Sequence, residues 1–182
     1  MTFRLSQYQS SWPSAFEALR DDLERTLGKS ALAIDHIGST SVPGLVAKDI
    51  IDIQVTVDDL DKSLITIMTD AGYKHHPELR MDHLPQGEPE DAYQWQKLVF
   101  SEKSGQRRAT IHIRQAGLAN HSYALVFRDF LRANEQAVLI LSRIKRDMAR
   151  YHGDDEEAYF DLRDPVYDLL WLHAREWQRR QG

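Results

Sequence analysis

The stretch that most constrains this chain is Ile34–Val57, IDHIGSTSVPGLVAKDIIDIQVTV. Strand-like residues from Ala31 to Ile37 stop at Gly38-Ser39. A hydroxyl-rich turn, Ser39-Thr40-Ser41, follows and is closed by Pro43-Gly44. A second strand-like run, Ile50 to Val57, carries one carboxylate, Asp52, among β-branched residues. Such a turn offers backbone N–H groups and hydroxyls to a phosphate. The acid on the next strand can hold a divalent cation against the same phosphate. Gly38, Ser39, Thr40 and Ser41 are therefore candidate phosphate-binding residues, and Asp52 is a candidate metal ligand and catalytic group.

Period two sharpens the reading. Residues two apart on a strand share a face. Ile51, Ile53, Val55 and Val57 then line an apolar face, and Asp52, Gln54 and Thr56 line the other. A carboxylate on an otherwise apolar strand needs a partner, water or a metal. A plainer account of Asp52 is a loop cap or an ion pair with Lys48. Lys48 itself can meet phosphate as a point charge or sit solvated at the strand start. His36 reads more readily as a hydrogen-bonded structural histidine than as a ligand contact.

The run H-I-G-S-T-S-V-P-G-L-x-x-K-x-I-I-D-I resembles the signature of the GrpB family, a branch of the nucleotidyltransferase superfamily. R-x-x-I-H-I-R (Arg108–Arg114), F-R-D-F-L-R-A-N (Phe127–Asn134) and L-x-x-x-K (Leu141–Lys145) extend the likeness, which spans about Trp12 to Tyr159. The resemblance implies a nucleotidyltransferase-like mixed sheet and a nucleotide or phosphorylated small molecule as ligand. In the superfamily pattern a second acid falls where Gln54 stands, and a third belongs on a later strand, where this chain offers His112. Two-metal transfer wants a carboxylate clamp for two cations. With Asp52 and His112 alone, one ion is expected, Mg²⁺ or Mn²⁺. Restoring a carboxylate at position 54 is expected to add a second.

The rest of the chain reads as follows. Trp12–Leu27 is a helix with Trp12, Phe16, Leu19, Leu23 and Leu27 on one stripe. Asp58 to Ala71 is a second, capped by Asp58 or Asp59 and ended by Gly72. Tyr73 to His76 is a short strand. Residues 78–92 form a polar loop, either a lid or a flexible insertion, with Arg80, Asp82 and His83 best able to reach a substrate. Gln94 to Phe100 and Arg108 to Arg114 are strands of a hairpin. In the second, Thr110, His112 and Arg114 share the polar face. His112 can be a metal ligand, general base or phosphate donor, and the planar fork of Arg114 suits phosphate. Helices follow over Asn120–Arg132, over Glu135–Tyr151 with Asn134 as its cap, over Asp154–Arg163, and from Asp164-Pro165 onward.

The expected fold class is α/β (mixed α+β), one domain over residues 1–182. Its α/β core covers about 12–116 and its C-terminal helices about 117–182. A net charge of −5 argues against nucleic-acid binding through a broad basic face. The chain has no cysteine, so disulfides and thiolate metal sites are excluded. No signal pattern and no apolar run near ~18 residues is present, and the expected location is the cytoplasm. Three functions fit the layout. One is metal-dependent nucleotidyl transfer to a small acceptor, with Asp52 and His112 as catalytic and metal-binding residues and Gly38–Ser41, Lys48 and Arg114 binding substrate. Another is a nucleotide- or phosphate-binding module without catalysis. The last is a hydrolase using Asp52, His112 and a transition metal.

Overall fold

A computed structural model describes residues 4–181. Five strands, β1 (Ala33–Ile37), β2 (Ile51–Val57), β3 (Lys74–His75), β4 (Leu98–Ser101) and β5 (Ala109–Gln115), form one mixed sheet in the order β1-β2-β5-β4-β3. β2 and β5 run parallel, and every other neighbouring pair is antiparallel. The register places Asp52 opposite Thr110, Gln54 opposite His112 and Thr56 opposite Arg114. The two polar stripes therefore lie side by side on one face.

The opposite face carries α1 (Trp12–Leu27) and α2 (Ser63–Asp70). Its core joins Ile51, Ile53, Val55, Ile111 and Ile113 to Trp12, Leu23, Leu64 and Met68, all buried. Burying a side chain of this size stabilises the fold by about 1.5–3 kcal/mol. On the polar face, α3 (Ala119–Ala133), α4 (Glu135–His152) and α5 (Glu156–Arg179) build a second core with Val42 and Leu45 from beyond the turn. The polar stripe is thus the floor of the space between sheet and helices.

Three local expectations are corrected. The second helix is shorter, because 58–62 bends and Asp61, not Asp58 or Asp59, accepts the Ser63 N–H at 2.6 Å. Asn134 makes no side-chain cap for α4; it donates to the Phe130 carbonyl at 2.7 Å, closing α3 instead. The last two expected helices are one, with Pro165 inside α5. A proline removes one backbone hydrogen bond, leaving the Asp161 carbonyl on the exposed side of the helix. Tyr159 before it and Trp171 and Ala174 after it are buried, so packing on both sides keeps the helix continuous. Among the described residues, no helix is long and apolar enough to cross a membrane.

Candidate functional site

Gly38 ends β1 with φ 67° and ψ −173°, a region open in practice only to glycine. A Cβ here would lie 2.4 Å from Asp52 Oδ2. The glycine thus turns the chain and makes room for the carboxylate of the neighbouring strand. Ser39 follows on a short 3₁₀ turn, Ser39–Ser41, and its hydroxyl accepts a hydrogen bond from Lys145 Nζ of α4 at 2.6 Å.

Ser39 and Asp52 open onto a cavity of about 650 Å³ between the sheet, the turn and the C-terminal helices, a size suited to a small ligand. Asp52, Thr110, His112 and Arg114 form its floor. His112 Nε2 lies 3.9 Å from Asp52 Oδ1. Among the described residues, six cations line it, Lys48, Lys97, Arg114, Arg128, Lys145 and Arg163, against three carboxylates, Asp52, Asp82 and Asp164. In a chain of net charge −5, this local excess of positive charge favours an anionic ligand. Tyr123, Phe127, Tyr159, Phe160 and Tyr167, from α3 and α5, give the cavity an aromatic wall.

The side chains differ in what they leave available. Asp82 lies at the start of the 78–92 loop, where Met81 bridges Gln96 and the Asp82 N–H reaches the Trp95 carbonyl at 2.9 Å. Its carboxylate takes both Nε (2.8 Å) and an Nη (2.9 Å) of Arg114, Lys97 Nζ (2.6 Å) and Asn120 Nδ2 (3.1 Å). Burial alone would push its carboxyl up, but Arg114 and Lys97 together hold it well below the usual range. The remaining Nη of Arg114 donates to Gln54 Oε1 at 2.7 Å. Arg114 therefore spends its fork on Asp82 and Gln54. The sequence suggested a phosphate fork here; in the structure Arg114 lines the cavity with Nε and both Nη atoms already hydrogen-bonded within the floor. Gln54 is fully buried, donates to the His121 carbonyl at 3.3 Å and does not line the cavity.

Lys145 is buried and carries a hydroxyl, not a carboxylate, as its hydrogen-bond partner. Burial pushes its ammonium down from 10.5 to about 7; attraction from Asp52 opposes this, and Arg163 and Lys48 add to it. The turn splits in two directions. Gly38 and Ser39 face the cavity, but Thr40 shares a 2.9 Å hydrogen bond with His36 Nε2 and Ser41 Oγ donates to the Gly38 carbonyl at 2.6 Å. Thr40 and Ser41 thus hydrogen-bond within the turn region and do not line this cavity. His36 stacks on Phe16 at 4.9 Å, and burial pushes its imidazole down to about 4, which fits a neutral structural histidine. Lys48 lines the cavity near the Phe160 ring, 5.5 Å from its centroid.

Among the described residues, no group of three or more His, Asp or Glu side chains could hold a metal ion. Asp52 and His112 are at most a two-residue donor set, which ligand oxygens would have to complete. Lys145 is the residue least legible from sequence. It belonged to a motif, but helix α4 alone did not reveal which way it pointed.

A family model described as GrpB protein matches residues 2–171. The chain belongs to the GrpB family. It is similar to the crystal structure of conserved protein GrpB from Enterococcus faecalis, with TM-score 0.78 and 26% identity over 96% of this chain and 99% of that one. It is 31% identical to a UPF0157 protein of Halalkalibacterium halodurans, covering 93% of this chain and 81% of that protein. It is also 32% identical to a dephospho-CoA kinase of Mycobacterium tuberculosis over 96% of this chain, which spans only 46% of that longer protein. The Cid1 poly(U) polymerase with Mg 3′-dATP bound is similar in fold alone, with TM-score 0.51 and 12% identity over 86% of this chain and 49% of that one. This chain and that polymerase thus share a fold over most of the length of this chain.

Proposed function

We propose that this GrpB protein binds a nucleotide or a closely related phosphorylated small molecule and transfers its nucleotidyl group to an acceptor. The observation that carries the reading is one cavity with two unlike walls. Ser39, Lys145, Asp52 and His112 meet at a polar wall, and aromatic rings of α3 and α5 face it. Phosphates suit the first and a planar base the second. Ser39 and Lys145 hold a phosphate, and Lys48 adds positive charge. Asp52 would hold one divalent ion, Mg²⁺ or Mn²⁺, with phosphate oxygens completing its shell; that ion would supply positive charge at the reacting phosphate. The kinase activity named in the longer relatives is not part of this reading. A Gly-x-x-x-x-Gly-Lys-Ser/Thr phosphate loop is lacking, since Gly28-Lys29-Ser30 has Leu23 where the first glycine would stand.

A non-catalytic nucleotide-binding role is favoured by one feature, the neutral Gln54 locked beneath the floor by Arg114. Calorimetry and turnover assays separate the two. Nucleoside triphosphates are titrated with Mg²⁺, Mn²⁺ or Zn²⁺, and diphosphate release is followed in parallel. Binding with release supports transfer, and binding without release supports the module. A response to Zn²⁺ or Mn²⁺ without nucleotide would point to the hydrolase instead. Ser39→Ala is expected to weaken triphosphate binding about tenfold and to destabilise by about 1–3 kcal/mol, because the buried Lys145 ammonium loses its hydroxyl partner. Unchanged triphosphate affinity of the folded variant would remove Ser39 from the phosphate site.

A further inference from the structure

His112 sits at the centre of the floor, and its two ring nitrogens have different neighbours. Nδ1 lies 3.3 Å from Lys97 Nζ. Nε2 faces Asp52 at 3.9 Å, too far for a direct hydrogen bond. A lysine ammonium has three donors and no acceptor, so a charged Lys97 can meet Nδ1 only if Nδ1 offers its lone pair. A neutral imidazole then carries its single proton on Nε2.

Each condition has its own support. Lys97 is held as the ammonium by Asp82 at 2.6 Å; burial pushes Lys97 down, and the charge on Asp82 acts against it. A protonated ring would set a second N–H against that ammonium, so the same 3.3 Å contact requires the neutral ring. The position of Lys97 is set by backbone. Its N–H reaches the Arg80 carbonyl at 2.9 Å, beside the Met81–Gln96 bridge that also delivers Asp82.

We infer that His112 is a hydrogen-bond donor, with Nε2–H presented to the cavity for an oxygen of a phosphate-bearing ligand, and that Lys97 and Asp82 are the positioning residues that hold it in this state. In that tautomer Nε2 has no lone pair for a metal ion or for a substrate proton. His112 is thereby removed from the metal-ligand and general-base roles that its sequence position invites, and Asp52 is left as the floor's metal-binding side chain. The assignment deepens the proposed function, yet the tautomer is a property of the free protein and is tested without turnover.

The test is a two-bond ¹H–¹⁵N spectrum of protein labelled at histidine nitrogen, at pH 7.5, with His112 assigned by its loss in His112→Gln. The expected result is protonated Nε2 and unprotonated Nδ1, with the Nδ1–H form rising in Lys97→Met. Nδ1–H in the wild type, or an unchanged tautomer in Lys97→Met, overturns the inference. Inorganic triphosphate is then added with and without Zn²⁺. The Nε2 proton is expected to persist, and its replacement by Zn²⁺ would restore the metal-ligand role. His112→Ala is expected to lose about tenfold in triphosphate affinity, about 1.4 kcal/mol. His112→Gln, which keeps an N–H near the Nε2 position, should recover most of it. Failure of wild type to bind triphosphate counts against the nucleotide reading and against the phosphate half of this one; the free-protein tautomer decides the other half.

Discussion

Lys145→Met is expected to make the protein more stable near and below neutral pH while removing its phosphate site. The folded state holds this ammonium at about 7 against 10.5 for a free lysine, chiefly through burial. Between those values the unfolded chain binds more protons than the folded one, so wild-type stability rises with pH across that window. At about 1.4 kcal/mol per pH unit, the buried charge costs roughly 4–5 kcal/mol below pH 7, and the cost disappears above about pH 10.5. Methionine keeps the length of the side chain without the charge. It forfeits the 2.6 Å hydrogen bond to Ser39, which is worth about 1 kcal/mol. The variant should therefore be about 3–4 kcal/mol more stable at pH 6 and roughly equal to wild type at pH 10. Urea denaturation of both proteins from pH 6 to 10 measures the difference, and calorimetry with inorganic triphosphate measures the loss of binding. A stability difference that does not vary with pH would refute the argument, because Lys145 would then not titrate in this range.

Two further outcomes follow from the floor and the turn. Gly38→Ala should destabilise by about 2–5 kcal/mol, combining a disfavoured backbone region with a Cβ driven into Asp52; a denaturation midpoint unchanged from wild type would show that the turn relaxes freely. Gln54→Asp, expected from sequence to add a second ion, should instead form an ion pair with Arg114, which already reaches position 54 at 2.7 Å. Calorimetric titration of Mn²⁺ with a non-hydrolysable nucleotide should still give at most one ion, and a second would show that the carboxylate turns toward the cavity.

Much of the architecture was legible in the chain itself. Alternation along Ile50–Val57 and Arg108–Arg114 separated a core face from a polar face, because strand side chains alternate sides whatever surrounds them. Gly38 marked the turn through a backbone requirement carried by its own missing Cβ. The stripe on α1 named its buried residues through helical spacing. Helix boundaries were less legible. Asp164-Pro165 reads locally as the cap and opening of a new helix, and the packing of Tyr159, Trp171 and Ala174 outweighs it.

The sequence by itself determined the two strands, the Gly-Ser turn between them and the sidedness of Asp52 and His112. These follow from local stereochemistry and from spacing along one chain. Only the tertiary structure decided how each polar group is used. Asp82 and Arg114, 32 residues apart, neutralise each other across the floor. Lys145, 106 residues from Ser39, reaches it from α4. Thr40 and Ser41 turn away while Ser39 stays. Whether a charge is spent on a neighbour or left for a ligand depends on distances between segments far apart in sequence. Coulomb and hydrogen-bond energies fall steeply with those distances, and residue order alone does not fix them.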